Sequence, residues 1–81
     1  MGLSYERQGY VYFVCRSFSR LGKRQQARIL KHAESVCGDH AAAVIALVTS
    51  GDSYKRVAGE HYVSVNTLYR AVTRFYKKFP L

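Results

Sequence analysis

The chain is poor in acid. Only five carboxylates occur in its 81 residues (Glu6, Glu34, Asp39, Asp52 and Glu60), against 13 Lys and Arg, for a formal net charge of +8. They are scattered, and no Ser/His/Asp constellation, P-loop or glycine-rich dinucleotide motif accompanies them, so catalysis is not expected. Proline is scarcer still. The only one, Pro80, stands one residue from the end, and no Pro/Ser-rich linker, repeat or low-complexity segment divides the chain. One domain spanning 1–81 is the economical reading. Long apolar runs are also missing. The stretches Tyr10–Cys15 and Ala41–Val48 are too short to cross a bilayer. The start, MGLSYERQG, is polar and unlike a signal peptide, and Glu6 stands where a myristoylation signal needs a small hydroxyl residue. A cytoplasmic protein without a membrane partner is the expectation.

Cysteine is limited to Cys15 and Cys37, far apart and without a CxxC motif. Two reduced, partly buried thiols fit best, although a single disulfide stays open. Cys37 and His40 have a C-x-x-H spacing, with His32 and His61 elsewhere. A structural zinc site wants a second matched pair, and none is present, so neither a metal nor another cofactor is expected. No feature of the chain points to a small-molecule ligand.

What is present is an apolar fraction of 48% and a basic excess that favours a polyanionic partner. Residues 4–19 are the hardest to assign. Ser4 is a candidate N-cap with Glu6 in the first turn, yet Tyr10 to Val14 is a β-branched and aromatic run that favours a strand. Val11, Val14, Cys15 and Phe18 share one helical face, and a lone strand would lack a partner, so a helix over 4–19 is expected. A second helix covers 23–36. Its apolar stripe comprises Ile29, Leu30, Ala33, Val36 and Cys37, and Gly38 closes it. Asp39 is the expected N-cap of a central, nearly all-apolar helix over 40–50, which Gly51 ends. Asp52 or Ser53 caps a short helix running to about His61. Ser64 caps the last, from 65 to about 78. The fold class is therefore all-α, a four- or five-helix domain.

The segment YKRVAGEHYVSVNTLYRAVT, residues 54–73, has the spacing of a helix-turn-helix within about 53–78. Val57 and Ala58 lie on a bracing helix, Val63 in the turn, and Leu68, Ala71 and Val72 on a second helix suited to the DNA major groove. Tyr62 occupies the turn position where glycine is common, and His61 the buried position before it. On the outward face of the second helix, Arg70 and Asn66 are able to bond guanine and adenine edges. Thr67, Tyr69, Ser64 and Val65 are the next candidates for base contact. Thr73, Arg74, Lys77 and Lys78 further along, with Lys55 and Arg56 on the bracing helix, are candidates for phosphate contact. Residues 61–81 contain four Lys or Arg and no acid.

A second basic run comprises Arg16, Arg20, Lys23, Arg24, Arg28 and Lys31, with no acid between Arg7 and Glu34. It extends a DNA footprint, contacts a partner, or is a solvated helix face. Among the aromatic residues, Tyr5, Tyr10, Tyr12, Phe13 and Phe18 suit a core or an interface. Phe75, Tyr76 and Phe79 suggest docking on the domain or a dimer contact.

At LVTSGDSYKRVAGEHYVSVNTLYRAVTRF, residues 47–75, the chain resembles the PapB family of fimbrial operon regulators. The resemblance rests on the Leu-Val stretch, Gly51, Ser53, Lys55, Val57, an aromatic near the turn, Val63, the Leu68-Tyr69 pair and Arg74. At RAVTRFYKKF it is also similar to the helix-turn-helix of KorA (TrfB) plasmid repressors. The resemblance implies a small bacterial or plasmid-borne transcriptional regulator that binds operator DNA as an oligomer, with base contacts at Asn66, Thr67 and Arg70.

The expected function is thus sequence-specific binding of double-stranded DNA and transcriptional control by a homodimer. Two alternatives stand beside it: a protein-interaction module that uses the same fold to bind a host protein, and a non-specific nucleic-acid binder.

Overall fold

The computed structural model describes residues 5–79, apart from the side chains of Tyr5 and Arg7. Among the described residues the protein is all-α, with no sheet. The first helix, α1, spans Tyr5–Arg16. The β-branched and aromatic run at Tyr10–Val14 is helical because tertiary packing overrides its strand propensity. Val11 and Cys15, one turn apart, are both completely buried. Ser4, the expected N-cap, lies outside the described residues.

The helix expected to reach residue 19 stops at Arg16. Ser17 leaves helical geometry, and Phe18–Arg20 forms a single 3-10 turn. The side-chain amide of Gln26 donates to the Phe18 carbonyl at 2.8 Å and fixes this corner. A tightened turn whose carbonyls are met from the next helix lets the chain reverse within a few residues.

The next helix, α2, spans Lys23–Cys37. Its buried stripe is Ile29, Ala33 and Cys37, one residue per turn, flanked by half-buried His32 and Val36. Leu30 does not belong to it and is 40% exposed. It is rotated by about 100° from Ile29, outside the narrow seam that α2 buries. Gly38 ends α2 with φ +56°, and its N–H bonds the Glu34 carbonyl.

Asp39 is not an N-cap. It sits inside a 3-10 turn, Gly38–His40, and His40 holds the cap position without a side-chain bond. The turn runs straight into the helix, so the Ala41 N–H bonds back to the Gly38 carbonyl and has no need of a cap. The central helix, α3, spans Ala41–Ser50 and buries Ala41, Ala43, Val44, Leu47 and Val48. Gly51 closes it in the left-handed conformation at φ +75°.

The short α4 spans Tyr54–Glu60, and α5 spans Val65–Lys77. Helix α3 packs against α1, α2, α4 and α5, and α2 also packs along α5. The aromatic end of the chain docks on the domain, with Phe75, Tyr76 and Phe79 all buried. His32 is held against Phe75 and Phe79. Its Nε2 donates to the Phe75 carbonyl at 3.0 Å, and its ring lies 5.0 Å from that of Phe75 and 5.5 Å from that of Phe79. Among the described residues no charged side chain is buried, and no helix is long and apolar enough to cross a membrane.

Candidate nucleic-acid interface

The unit formed by α4 and α5 begins with a side-chain cap. Ser53 Oγ accepts the Arg56 N–H at 3.2 Å, so Ser53, and not Asp52, starts α4. The Asp52 N–H instead bonds Ser50 Oγ. Val57 and Ala58 turn one face of α4 into the core. The small Ala58 side chain allows α5 to come close.

The α4–α5 turn is a Schellman closure. The Val63 N–H donates to the Ala58 carbonyl at 3.0 Å, and the Tyr62 N–H to the Gly59 carbonyl at 3.4 Å. Between them Tyr62 takes φ +56°. It is the non-glycine residue with positive φ among the described residues, at the position glycine normally fills. Its side chain is 96% exposed. His61, expected to be buried, is only half-buried, because it caps α4 at the rim of the turn. Val63 returns the chain to the core.

Ser64 then caps α5. Its Oγ accepts the Thr67 N–H at 3.0 Å and donates to Thr67 Oγ1 at 2.8 Å. Two of the residues expected to read bases, Ser64 and Thr67, thus have hydroxyls already joined to each other. One face of α5, comprising Leu68, Ala71, Val72, Phe75 and Tyr76, is buried. Asn66, Arg70 and Lys77 are exposed on the other face, with half-buried Thr73 among them. Their spacing of i, i+4, i+7 and i+11 forms a continuous stripe.

Val65 and Tyr69 flank the start of that stripe, partly exposed. The Tyr69 ring leans on Tyr54 of α4 at 5.9 Å, so its orientation is set by the bracing helix. Burial raises the Tyr54 phenol above its ordinary pKa, and the neighbouring Tyr69 adds to the effect. Thr73 donates to the Tyr69 carbonyl at 2.9 Å, an intrahelical bond that engages its hydroxyl.

The candidate phosphate contacts are spread more widely. Lys77 and Lys78 lie at the far end of α5, about 16 Å along the axis from Asn66 at 1.5 Å per residue. Arg74 is exposed, and its charge partly offsets the burial that raises the Cys37 thiol. Cys37 Sγ itself donates to the Ala71 carbonyl at 3.4 Å. Lys55 and Arg56 are exposed on α4, and Arg56 pairs with Glu60 at 3.2 Å. An exposed i,i+4 pair of this kind contributes little to stability.

The second basic run is split by the fold. The Arg16 guanidinium lies against Gly51, where it meets the carbonyl end of α3 and where any Cβ would collide with it. Arg24, Arg28 and Lys31 are exposed along α2. Cys15 and Cys37 are both buried and unbonded to each other. Among the described residues no group of three or more His, Cys, Asp or Glu comes close enough to hold a metal ion.

Tyr62, which the sequence marks only as the residue in the glycine position of the turn, is a further functional candidate. The available signal was its place in the glycine position. A side chain retained at left-handed φ, at a cost of about 1–2 kcal/mol, has to be explained by something other than the backbone. Comparison with protein-family models, with curated proteins and with solved structures yields no significant match.

Proposed function

We propose that the protein is a sequence-specific DNA-binding transcriptional regulator, with α4 and α5 acting as a helix-turn-helix and α5 entering the major groove. One observation carries this reading. Helix α5 buries one complete face, while Asn66 and Arg70 stand at the exposed start of the other. A helix held on one side, capped at its N-terminus and bearing bidentate donors on its first turns is suited to base-edge readout. The absence of any acid after Glu60 leaves the approach to a polyanion unopposed.

In this reading Arg70 and Asn66 bond base edges, and Val65 and Tyr69 make apolar contact with them. Lys55, Arg56, Arg74, Lys77 and Lys78 hold phosphates. A homodimer would set two copies of α5 on half-sites about 34 Å apart. Kinship with the fimbrial and plasmid regulators, and action in the cytoplasm, belong to the same proposal.

Selection from random DNA duplexes at physiological salt tests it. An enriched motif supports base readout, and a palindromic one supports the dimer. Binding that follows salt alone, without enrichment, replaces the proposal with non-specific nucleic-acid binding. Failure to bind duplex at all removes DNA from the account.

A further inference from the structure

We infer that the groove between α1 and α2 is a docking site for an acidic, amphipathic helical segment of another protein. This inference is independent of the partner of α5. The groove has a volume of about 420 Å³. Its apolar lining includes Val14, Leu21, Ile29 and Phe79, with Tyr10 on the α1 side and Arg28 on the α2 side. No residue of α4 or α5 lines it; Phe79 lies just beyond the end of α5.

The apolar surface continues past the groove. Tyr10 is 57% and Phe13 70% exposed. Tyr10, Phe13 and Val14 share one face of α1 by their i, i+3, i+4 spacing. Aromatic side chains this exposed next to an aliphatic trough mark an interaction surface more often than a solvated one.

Charge identifies the occupant. Arg24, Arg28 and Lys31 follow at i, i+4, i+7 on α2, all exposed, and form a cationic ridge of which Arg28 lines the groove. Glu34 is the sole acid on α2, and Glu6, one turn before Tyr10, the sole acid on α1. A fitting segment therefore carries carboxylates along one side, facing the ridge, and aliphatic or aromatic residues along the other, facing the trough.

A second copy of this chain fits poorly. A symmetric pairing through this groove would set the cationic ridge against itself. Single-stranded nucleic acid would match the ridge and stack on Phe13, but it offers nothing to fill an aliphatic floor.

The test is selection from a displayed library of short helical peptides against the full chain, followed by binding to Arg28→Glu and Phe13→Ser. Both residues are exposed, and unchanged helical circular dichroism verifies that the variants fold. The chain has no Trp, so a Trp placed in a selected peptide reports binding without interference. The expected result is enrichment of acidic amphipathic peptides that lose roughly tenfold or more in affinity for each variant, while duplex DNA does not displace them. The inference is overturned by a lack of enrichment, or by peptides that bind both variants as well as the wild type. It is equally overturned if Phe13→Ser dissolves a self-association seen by sedimentation, or if oligonucleotides and not peptides depend on these two residues. Loss of DNA binding by Arg70→Ala bears only on α5 and leaves this result untouched.

Discussion

The amide of Val63 donates to the carbonyl of Ala58 at 3.0 Å, across a Tyr62 held at φ +56°. This bond sets the angle between α4 and α5 without glycine. The side chain of Tyr62 is almost wholly in solvent and packs on little, so nothing in the fold offsets the strain. Tyr62→Gly is therefore expected to stabilise the domain by about 1 kcal/mol, with relief of the left-handed strain exceeding the added entropy of the unfolded chain. Tyr62→Val should destabilise it by a similar amount, because β-branched residues tolerate positive φ worst. Urea denaturation midpoints of the two variants measure this. If Tyr62→Gly binds duplex DNA as wild type does, Tyr62 has no place in the interface. Weaker binding by the more stable variant would give it one.

The Ser64 hydroxyl satisfies the Thr67 amide and also meets the Thr67 hydroxyl. Ser64→Ala should cost about 1 kcal/mol of stability, and Ser64→Asp, which keeps the cap acceptor, much less. On DNA the order should change, because a carboxylate at the start of α5 repels the phosphate backbone. Thermal unfolding and DNA titration of both variants separate capping from contact. Equal midpoints for Ser64→Ala and wild type would mean that the cap is not formed in solution.

Arg70 and Lys77 should differ in kind. Arg70→Ala is expected to lose about 1–3 kcal/mol on the best duplex and to relax the preferred base at one position. Lys77→Ala should weaken all duplexes alike and lower the salt slope by about one unit. Affinities measured on selected and scrambled duplexes across a salt series provide the comparison. An Arg70→Ala variant with unaltered sequence preference removes Arg70 from base readout.

Alkaline pH should unfold the domain earlier than surface charge alone would suggest. Burial pushes the Cys15 thiol from its ordinary 9.0 up to about 12. Burial first, and then the neighbouring Cys15, Tyr54 and Tyr12, push the Tyr76 phenol from 10.0 up to about 12. In both cases the folded state keeps a proton that the unfolded chain releases. Stability is unaffected by these groups below about pH 9 and falls as pH rises from there toward 12. Urea midpoints at about pH 8 and about pH 11 should show the drop, and Cys15→Ala should flatten its lower part. For the same reason a thiol reagent at neutral pH should label neither cysteine until the protein is unfolded.

Much of the helix map was legible because its signals are local. Ser53, Gly51 and Ser64 each act within a turn of the chain, and each stands where its chemistry placed it. Asp39 is misleading for the same reason: an Asp before an apolar run has the look of a cap, but the preceding turn runs directly into α3 and supplies the bonds itself. Leu30 looks part of the buried stripe because its neighbours Ile29 and Ala33 define one, and only the position of α3 and α5 decides how wide that stripe is.

The candidate interface shows the same division. The residue types on α5, their spacing and the absence of acid after Glu60 are properties of the sequence. The pairing of Ser64 with Thr67, the lean of Tyr69 on Tyr54 and the effect of the Arg74 charge on the Cys37 thiol depend on neighbouring groups that the linear pattern does not specify. The sequence by itself determined the helices from residue 23 onward, the caps at Gly51 and Ser64 and a basic, acid-poor final helix, since propensity, capping and charge are short-range. Tertiary structure alone decided that Phe75, Tyr76 and Phe79 are buried on the domain, with Phe75 and Phe79 against His32 of α2, and that Tyr10 and Phe13 stay uncovered. Those outcomes turn on which apolar surfaces find partners within a domain too small to cover them all.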